Sequence, residues 1–208
     1  MTETKVKTEV KTEIPPVVLR MRPALDVSDD ELLLFSGQNK DLRIERTAEG
    51  DLEVMPPTGG ERGNRNIELT SQLQVWTKQN DTGAAFDSSS GFRLPNGAVR
   101  APDAAWVRSE RLSELAAEQK RKFIPLCPDF VIELCSPTDS LAYVQAKMDE
   151  YIENGARLGW LIDPDERKVH VYRPDETVRV LENSRENSGD PILPGFTLDL
   201  RRIWEPRL

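Results

Sequence analysis

Residues 130–163, FVIELCSPTDSLAYVQAKMDEYIENGARLGWLID, decide the fold. Residues 130–135 form a nearly continuous apolar run, the pattern of a strand buried on both faces. Ser136-Pro137 halts it. Over residues 140–153 the period changes, with Leu141, Val144, Met148, Tyr151 and Ile152 on one stripe, so a helix is expected there with Gly155 as its stop. RLGWLIDP, residues 157–164, reads as a second buried strand, turned by Pro164-Asp165. Strand, helix and strand in this order give an α/β mixture around a mixed central sheet flanked by helices.

Towards the N-terminus, SERLSELAAEQ (residues 109–119) reads as a short surface helix. Before it come two extended runs, AAFDSSSGFRL and AVRAPDAAWV, around Asn96-Gly97, a strong hairpin signal. Residues 61–79 are helical, because Leu69, Leu73 and Trp76 recur at spacings of four and three. Counting backwards places Asn66 and Arg62 on that same face. DLRIERTAEGDLEVMPP (residues 41–57) predicts two short strands joined at Glu49-Gly50, with Pro56-Pro57 closing them. Ser28-Asp29-Asp30-Glu31 is a capping box ahead of Leu32, Leu33, Leu34 and Phe35, so a short helix starts there. Residues 1–25 show no helical stripe and reach Pro15-Pro16, which predicts a loosely docked arm before a domain over residues 26–208. Towards the C-terminus, KVHVYR, TVRVL and PGFTLDLRRIW read as outer strands and a closing segment. No internal repeat is present.

The chain has 208 residues, room for one ordinary domain with a real core, and 28 basic against 36 acidic side chains give a net charge of −8. That balance argues against a broad basic surface for holding phosphates. No apolar run approaches the length of a membrane span, and MTETKVKTEVKTE has no apolar signal region. Cys127 and Cys135 are too few for a disulfide framework or a four-ligand zinc site, and are expected to pack as small hydrophobes in a reducing cytoplasm. His170 is the sole histidine. It is expected to be a satisfied strand residue in KVHVY, and its isolation argues against Ser-His-Asp and Cys-His-Asn catalysis.

Glu133 does not fit a bland reading, because it interrupts the most apolar strand in the protein. A carboxylate there must be paired, bind a metal or bear a large desolvation cost. Asp103 lies in another extended run, between Pro102 and Ala104-Ala105-Trp106. Two isolated acids on sheet strands suit a hard cation such as Mg²⁺, which binds through one or two carboxylates and keeps water and phosphate as its other ligands. Lys147, at the edge of its helix stripe, has the reach to return to the Glu133 strand. An ammonium there would position a water or offset charge on a phosphate. The same residues also admit a structural account: a turn at Asp103, a buried ion pair at Glu133 and a snorkelling Lys147.

GDLEVMPPTGG, SSSGFRLPNGAVRAPDAAWV, PDFVIELCSPTD and KMDEYIENGARLGWLIDP, in that order, resemble the Uma-two family of restriction-endonuclease-like proteins, within the PD-(D/E)XK nuclease superfamily. The resemblance runs from about residue 28 to the end. It implies a restriction-endonuclease-like core and metal-dependent hydrolysis of DNA phosphodiester bonds. Pro102-Asp103 would be the PD element and Glu133 the second acid, the two together holding Mg²⁺ or Mn²⁺. One position departs from the pattern: Cys135 stands where the triplet has Lys. The resemblance moves that lysine to the following helix, as Lys147 in Gln145-Ala146-Lys147, with Gln145 available to orient water or substrate. An acid of the first core helix, Glu61 or Glu68, would assist with metal, although neither lies on the apolar stripe. Arg62 and Asn66 do lie on it, where phosphate contact and capping are both open. Ser136 and Asp139 are expected to cap the Lys147 helix.

By analogy a homodimer would cut both strands. The main rival is a binding or regulatory module that keeps the fold without useful catalysis. A small-molecule phosphodiesterase would use the same residues. In either hydrolase reading the −8 describes only the average surface field, while Arg62, Arg65, Arg93, Arg100 and Lys147 are numerous enough to line a local cleft.

Overall fold

The computed structural model describes residues 16–55, 59–136 and 138–208. The arm expected over residues 1–25 therefore lies outside the description as far as residue 15, as do Pro56-Pro57 and Pro137. The described chain opens with strand β1 (Val17–Leu19), helix α1 (Asp29–Gln38) and the hairpin β2 (Arg43–Arg46) and β3 (Leu52–Met55). Helix α2 (Gly60–Asn80) is followed by β4 (Gly83–Asp87), β5 (Phe92–Arg93), β6 (Val99–Arg100) and β7 (Ala104–Arg108). A short helix α3 (Ser109–Ser113) and a 3₁₀ turn at Gln119–Arg121 lead to β8 (Phe130–Leu134), helix α4 (Leu141–Glu153) and β9 (Leu158–Asp163). The chain closes with β10 (Lys168–Tyr172), β11 (Arg179–Glu182), β12 (Glu186–Ser188), β13 (Thr197–Asp199) and helix α5 (Arg201–Trp204).

The strands do not share one sheet. Six of them form a mixed sheet in the order β11-β10-β9-β8-β7-β4, and β1-β3-β2-β6-β5 form a second, antiparallel sheet. In the mixed sheet only β8 and β9 run parallel, joined by α4, with Glu133 opposite Leu161. The β2–β6 link that ties the hairpin to the Asn96-Gly97 turn rests on one register pair, Arg46 with Val99. A further two-stranded ribbon, β12 with β13, was not expected, because Glu186-Asn187-Ser188 has no apolar alternation to mark it.

Local chemistry accounts for the elements that frame the site. The capping box at α1 forms as expected: the Ser28 hydroxyl accepts from Glu31 N–H, and the Glu31 carboxylate accepts from Ser28 N–H. α4 ends at Glu153 with Asn154 as its cap, and Gly155 just beyond it takes a φ of +107° that suits glycine. Four residues later Gly159 lets α4 sit against β9, since a Cβ there would collide with the Met148 methyl. That close approach fixes the height of α4, and with it Lys147, above β8. On the opposite face of the mixed sheet, Trp76, Trp106, Phe130, Trp160 and Phe196 pack with Leu69 and Leu73 of α2. Both cysteines are free and buried, as expected. His170 differs from expectation: it is buried on β10, but its Nε2 finds no hydrogen-bond partner among the described residues. Among the described residues no helix is long and apolar enough to cross a membrane.

Candidate active site

The β7–β8 ladder pairs Ala104 with Ile132. One step further sets Asp103 beside Glu133, at the end of the ladder between two interior strands of the mixed sheet. Asp103 folds back so that its Oδ2 accepts from Leu134 N–H at 2.9 Å. α4 then brings Lys147 over both strands. Its Nζ lies 2.9 Å from Glu133 Oε1 and 2.9 Å from Glu45 Oε1, so it bridges two carboxylates. Tyr151, one turn further along α4, donates its hydroxyl to Glu133 Oε1 at 2.9 Å. The three residues singled out in the sequence are thus gathered and buried: Asp103, Glu133 and Lys147 are 0%, 3% and 6% exposed.

The second sheet supplies groups that sequence reasoning missed. Arg43 and Glu45 stand on the same face of β2, while Ile44 on the other face joins Leu32, Leu52 and Val99 beneath α1. Arg43 donates to Asp103 Oδ1 at 3.0 Å and to Glu45 Oε1 at 3.1 Å, and also to the Ala101 carbonyl. Its Nη2 is 3.9 Å from Glu133 Oε2, an oxygen that no hydrogen bond reaches among the described residues. Glu45, fully buried, also pairs with Arg100 at 3.4 Å and accepts from Ala101 N–H at 3.2 Å. Behind it, Arg100 holds Glu53 and Glu150. The signal was present in Arg43-Ile44-Glu45: in a strand these two charges share one face, and a charged inner face needs a partner. Its length, four residues, hid it.

From α2, Arg62 donates to Asp103 Oδ2 and to Asp139 Oδ2, each at 3.2 Å, and Asn66 donates to Asp103 Oδ1 at 3.4 Å. These two stripe residues do reach the site. Glu61 stays at its rim, paired with Arg65 at 2.6 Å. Glu68 turns away to Arg202 at 3.2 Å, outside the cleft lining. The Gln145 side chain makes no hydrogen bond among the described residues and does not line the cleft, because it sits two residues before Lys147 and so on another side of α4. Asp139 and Ser136 do not cap α4, whose cap residue is Ser140 without a side-chain bond. Asp139 instead accepts from Ser136 N–H and anchors Arg62, because the chain turns before the helix begins. Of the five basic residues proposed to line a cleft, Arg93 is drawn off to Asp29 at 3.1 Å.

Burial and charge oppose one another throughout this cluster. Burial would raise the Asp103 carboxyl, but Arg62 and Arg43 hold it down at about 2. Burial is likewise overcome at Glu45, where Lys147, Arg43 and Arg100 keep the pKa at about 2. At Glu133 burial wins: Lys147 pulls its pKa down, yet the carboxyl remains above the usual range. The acids and bases line one side of a cleft of about 1050 Å³ between the sheets and α2. Such a site can hold a phosphate against guanidinium groups and place carboxylate oxygens beneath it.

The donor set suits a hard divalent cation: anionic oxygens only, with Glu133 Oε2 free of hydrogen-bond donors. Spacing is another matter. Among the described residues no three Asp, Glu, His or Cys side chains are grouped to hold a metal, since Arg43 and Lys147 stand between the acids.

A family model, Uma2, described as a putative restriction endonuclease, matches residues 29–201. Among solved structures the chain is similar to a putative nuclease belonging to DUF820 from Anabaena variabilis. The two share 22% identity and a TM-score of 0.65, over 77% of this chain and 89% of that one. At that identity the likeness speaks for the fold. No curated protein matches the chain.

Proposed function

The chain belongs to the Uma2 family of putative restriction endonucleases, and from that premise we propose that it hydrolyses DNA phosphodiester bonds with Mg²⁺ or Mn²⁺. The observation that supports this reading most is the placement of Lys147. Its ammonium is turned inward, 2.9 Å from Glu133, rather than out to solvent. Asp103 and Glu133 are the residues that would hold the cation. When bound, the metal supplies an acidified water and offsets phosphate charge. Lys147 keeps Glu133 oriented and places a fixed positive charge beside the reacting phosphate. Tyr151 fixes the other side of the same oxygen. Arg62, braced on Asp139, faces the cleft as a phosphate contact. The proposal needs no covalent enzyme intermediate, in keeping with both cysteines: burial pushes the Cys127 and Cys135 thiols upward, away from thiolate. As a homodimer the protein would address both strands of a duplex.

The assay is cleavage of plasmid and single-stranded DNA with Mg²⁺ or Mn²⁺ by wild type and Asp103→Asn. Wild type should cut only with metal. The variant should be slower by on the order of a thousandfold, the rate equivalent of several kcal/mol of transition-state stabilisation. Equal cleavage by both proteins would remove Asp103 from the mechanism.

A second reading, a nuclease-fold binding or regulatory module, draws on one specific observation. Asp103 already accepts four donors, from Arg43, Arg62, Asn66 and Leu134, which fills its lone pairs. DNA binding without cleavage by either protein is the signature of that module.

A further inference from the structure

Arg43 occupies the place that two different ligands would need. Its guanidinium spans the acids, 3.0 Å from Asp103, 3.1 Å from Glu45 and 3.9 Å from Glu133. It is also the most accessible member of that group: its side chain is 21% exposed, against 0% for Asp103 and Glu45, 4% for Glu133 and 5% for Lys147. Around it the hydrogen bonding is incomplete. The Nε–H groups of Arg43 and Arg62 and the Asn66 Oδ1 are buried without partners. Buried donors left unmatched are rare and costly, so an arrangement that strands two guanidinium N–H groups beside one cleft calls for a missing acceptor. A planar guanidinium accepts carboxylate or phosphate with the same fork.

Charge points the same way. Glu45, Asp103 and Glu133 directly face four bases, Arg43, Arg62, Lys147 and Arg100, with Asp139 beyond Arg62 and Glu53 and Glu150 beyond Arg100. A divalent cation added between those acids would meet the guanidinium of Arg43 at close range, and a phosphate added there would meet the acids at close range. If Arg43 leaves the acids for the phosphate, both conflicts disappear together.

We propose that Arg43 is an exchangeable counter-ion: a phosphate oxyanion entering the cleft draws its guanidinium off Asp103 and Glu133, and the two oxygens it leaves, Asp103 Oδ1 and Glu133 Oε2, receive the divalent cation. Arg62 stays anchored on Asp139 and forms the other half of the phosphate clamp. Phosphate and metal then bind with positive, reciprocal coupling. The inference rests on reading the cleft as a phosphodiester site, and it assigns the substrate contact within it.

The test is Mn²⁺ binding, followed by electron paramagnetic resonance, with and without thymidine 3′,5′-bisphosphate as the phosphate probe. In wild type the probe should tighten Mn²⁺ binding by about fivefold or more, the lower end of ordinary allosteric coupling. Arg43→Met should bind Mn²⁺ more tightly than wild type in the absence of probe, and gain nothing from it. Arg43→Lys keeps a charge but not the fork, so its gain should fall below wild type's. Unchanged Mn²⁺ affinity in wild type on adding the probe overturns the proposal, as does a full gain in the variants. The wild-type titration decides even if Arg43→Met does not fold. Plasmid cleavage run in parallel separates the two ideas. Asp103-dependent cutting without coupling removes only the counter-ion role. Coupling without any cutting removes the hydrolase reading and leaves a metal- and phosphate-linked binding site.

Discussion

Phe130, Ile132 and Leu134 leave β8 on one side, and Val131 and Glu133 on the other. Both faces are buried, but different forces hold them. On the first, Trp160 meets Phe130 edge-on at 4.7 Å and stacks on Phe196 at 5.9 Å, so each ring is held by many weak, non-directional contacts. On the second, Glu133 is held by Lys147, Tyr151 and Arg43, few contacts that are strong only as a set. The aromatic face should therefore tolerate exchange of one apolar group for another of like volume. The charged face should tolerate only changes that remove partners together.

The largest effect is expected on the aromatic face. Trp160→Ala should cost about 3–5 kcal/mol in urea unfolding, because a fully buried ring leaves a cavity its neighbours cannot fill. A cost below about 1 kcal/mol would mean that this layer does not hold the sheet. Next comes Lys147→Met, expected to lose about 3 kcal/mol by stranding Glu45 and Glu133. Adding Glu133→Gln should recover more than 1 kcal/mol of that loss, since neighbours in one ion network are not additive. Simple additivity of the two substitutions would dissolve the distinction between the faces.

Acid is a smaller and more selective probe. Asp103 and Glu45 have folded pKa values near 2 against ordinary values of 3.8 and 4.5. Groups depressed in this way stabilise the fold above their ordinary values and lose that contribution as pH falls towards 2. Glu133 has the opposite sign: its raised pKa favours the neutral form, a benefit lost as pH rises past 4.5. Denaturant titrations from pH 5 to pH 2 should show a decline that Asp103→Asn flattens and a Trp160 substitution leaves in place. An unchanged slope in Asp103→Asn would deny the pairing its energetic role. The smallest effect belongs to Glu68→Ala, whose half-exposed pair with Arg202 lies outside the cleft. Stability should move by less than about 0.5 kcal/mol and cleavage not at all.

The contrast also explains what was legible in sequence. β8, α4 and the Gly155 stop announce themselves through period and punctuation, and Glu133 is visible because it breaks an apolar run. Asp103 and Lys147 follow from their neighbours and from the family resemblance. Arg43 and Glu45 stay hidden because charges in a four-residue strand look like surface until the second sheet is known, and one register pair, Arg46 with Val99, carries its link to β6. The ion-pair account of Glu133 holds, and the proposed catalytic account does not compete with it, because both would use the same Lys147 contact. Asp139 shows the reverse case. Its place before a helix suggests a cap, but the turn spends it on Ser136 and Arg62.

The bridge from Lys147 to Glu45 spans 102 positions of chain. During synthesis at roughly 5–20 residues per second, the β2 acid emerges some 5–20 s before the ammonium that will cover it. Asp103 and Glu133 emerge in between, so Arg43 and Arg100 can meet their acids earlier, but Glu45 lacks its ammonium partner until Lys147 follows. The cluster is thus completed only when α4 docks, so a chain cut short of α4 lacks the bridge that Lys147 makes between Glu45 and Glu133.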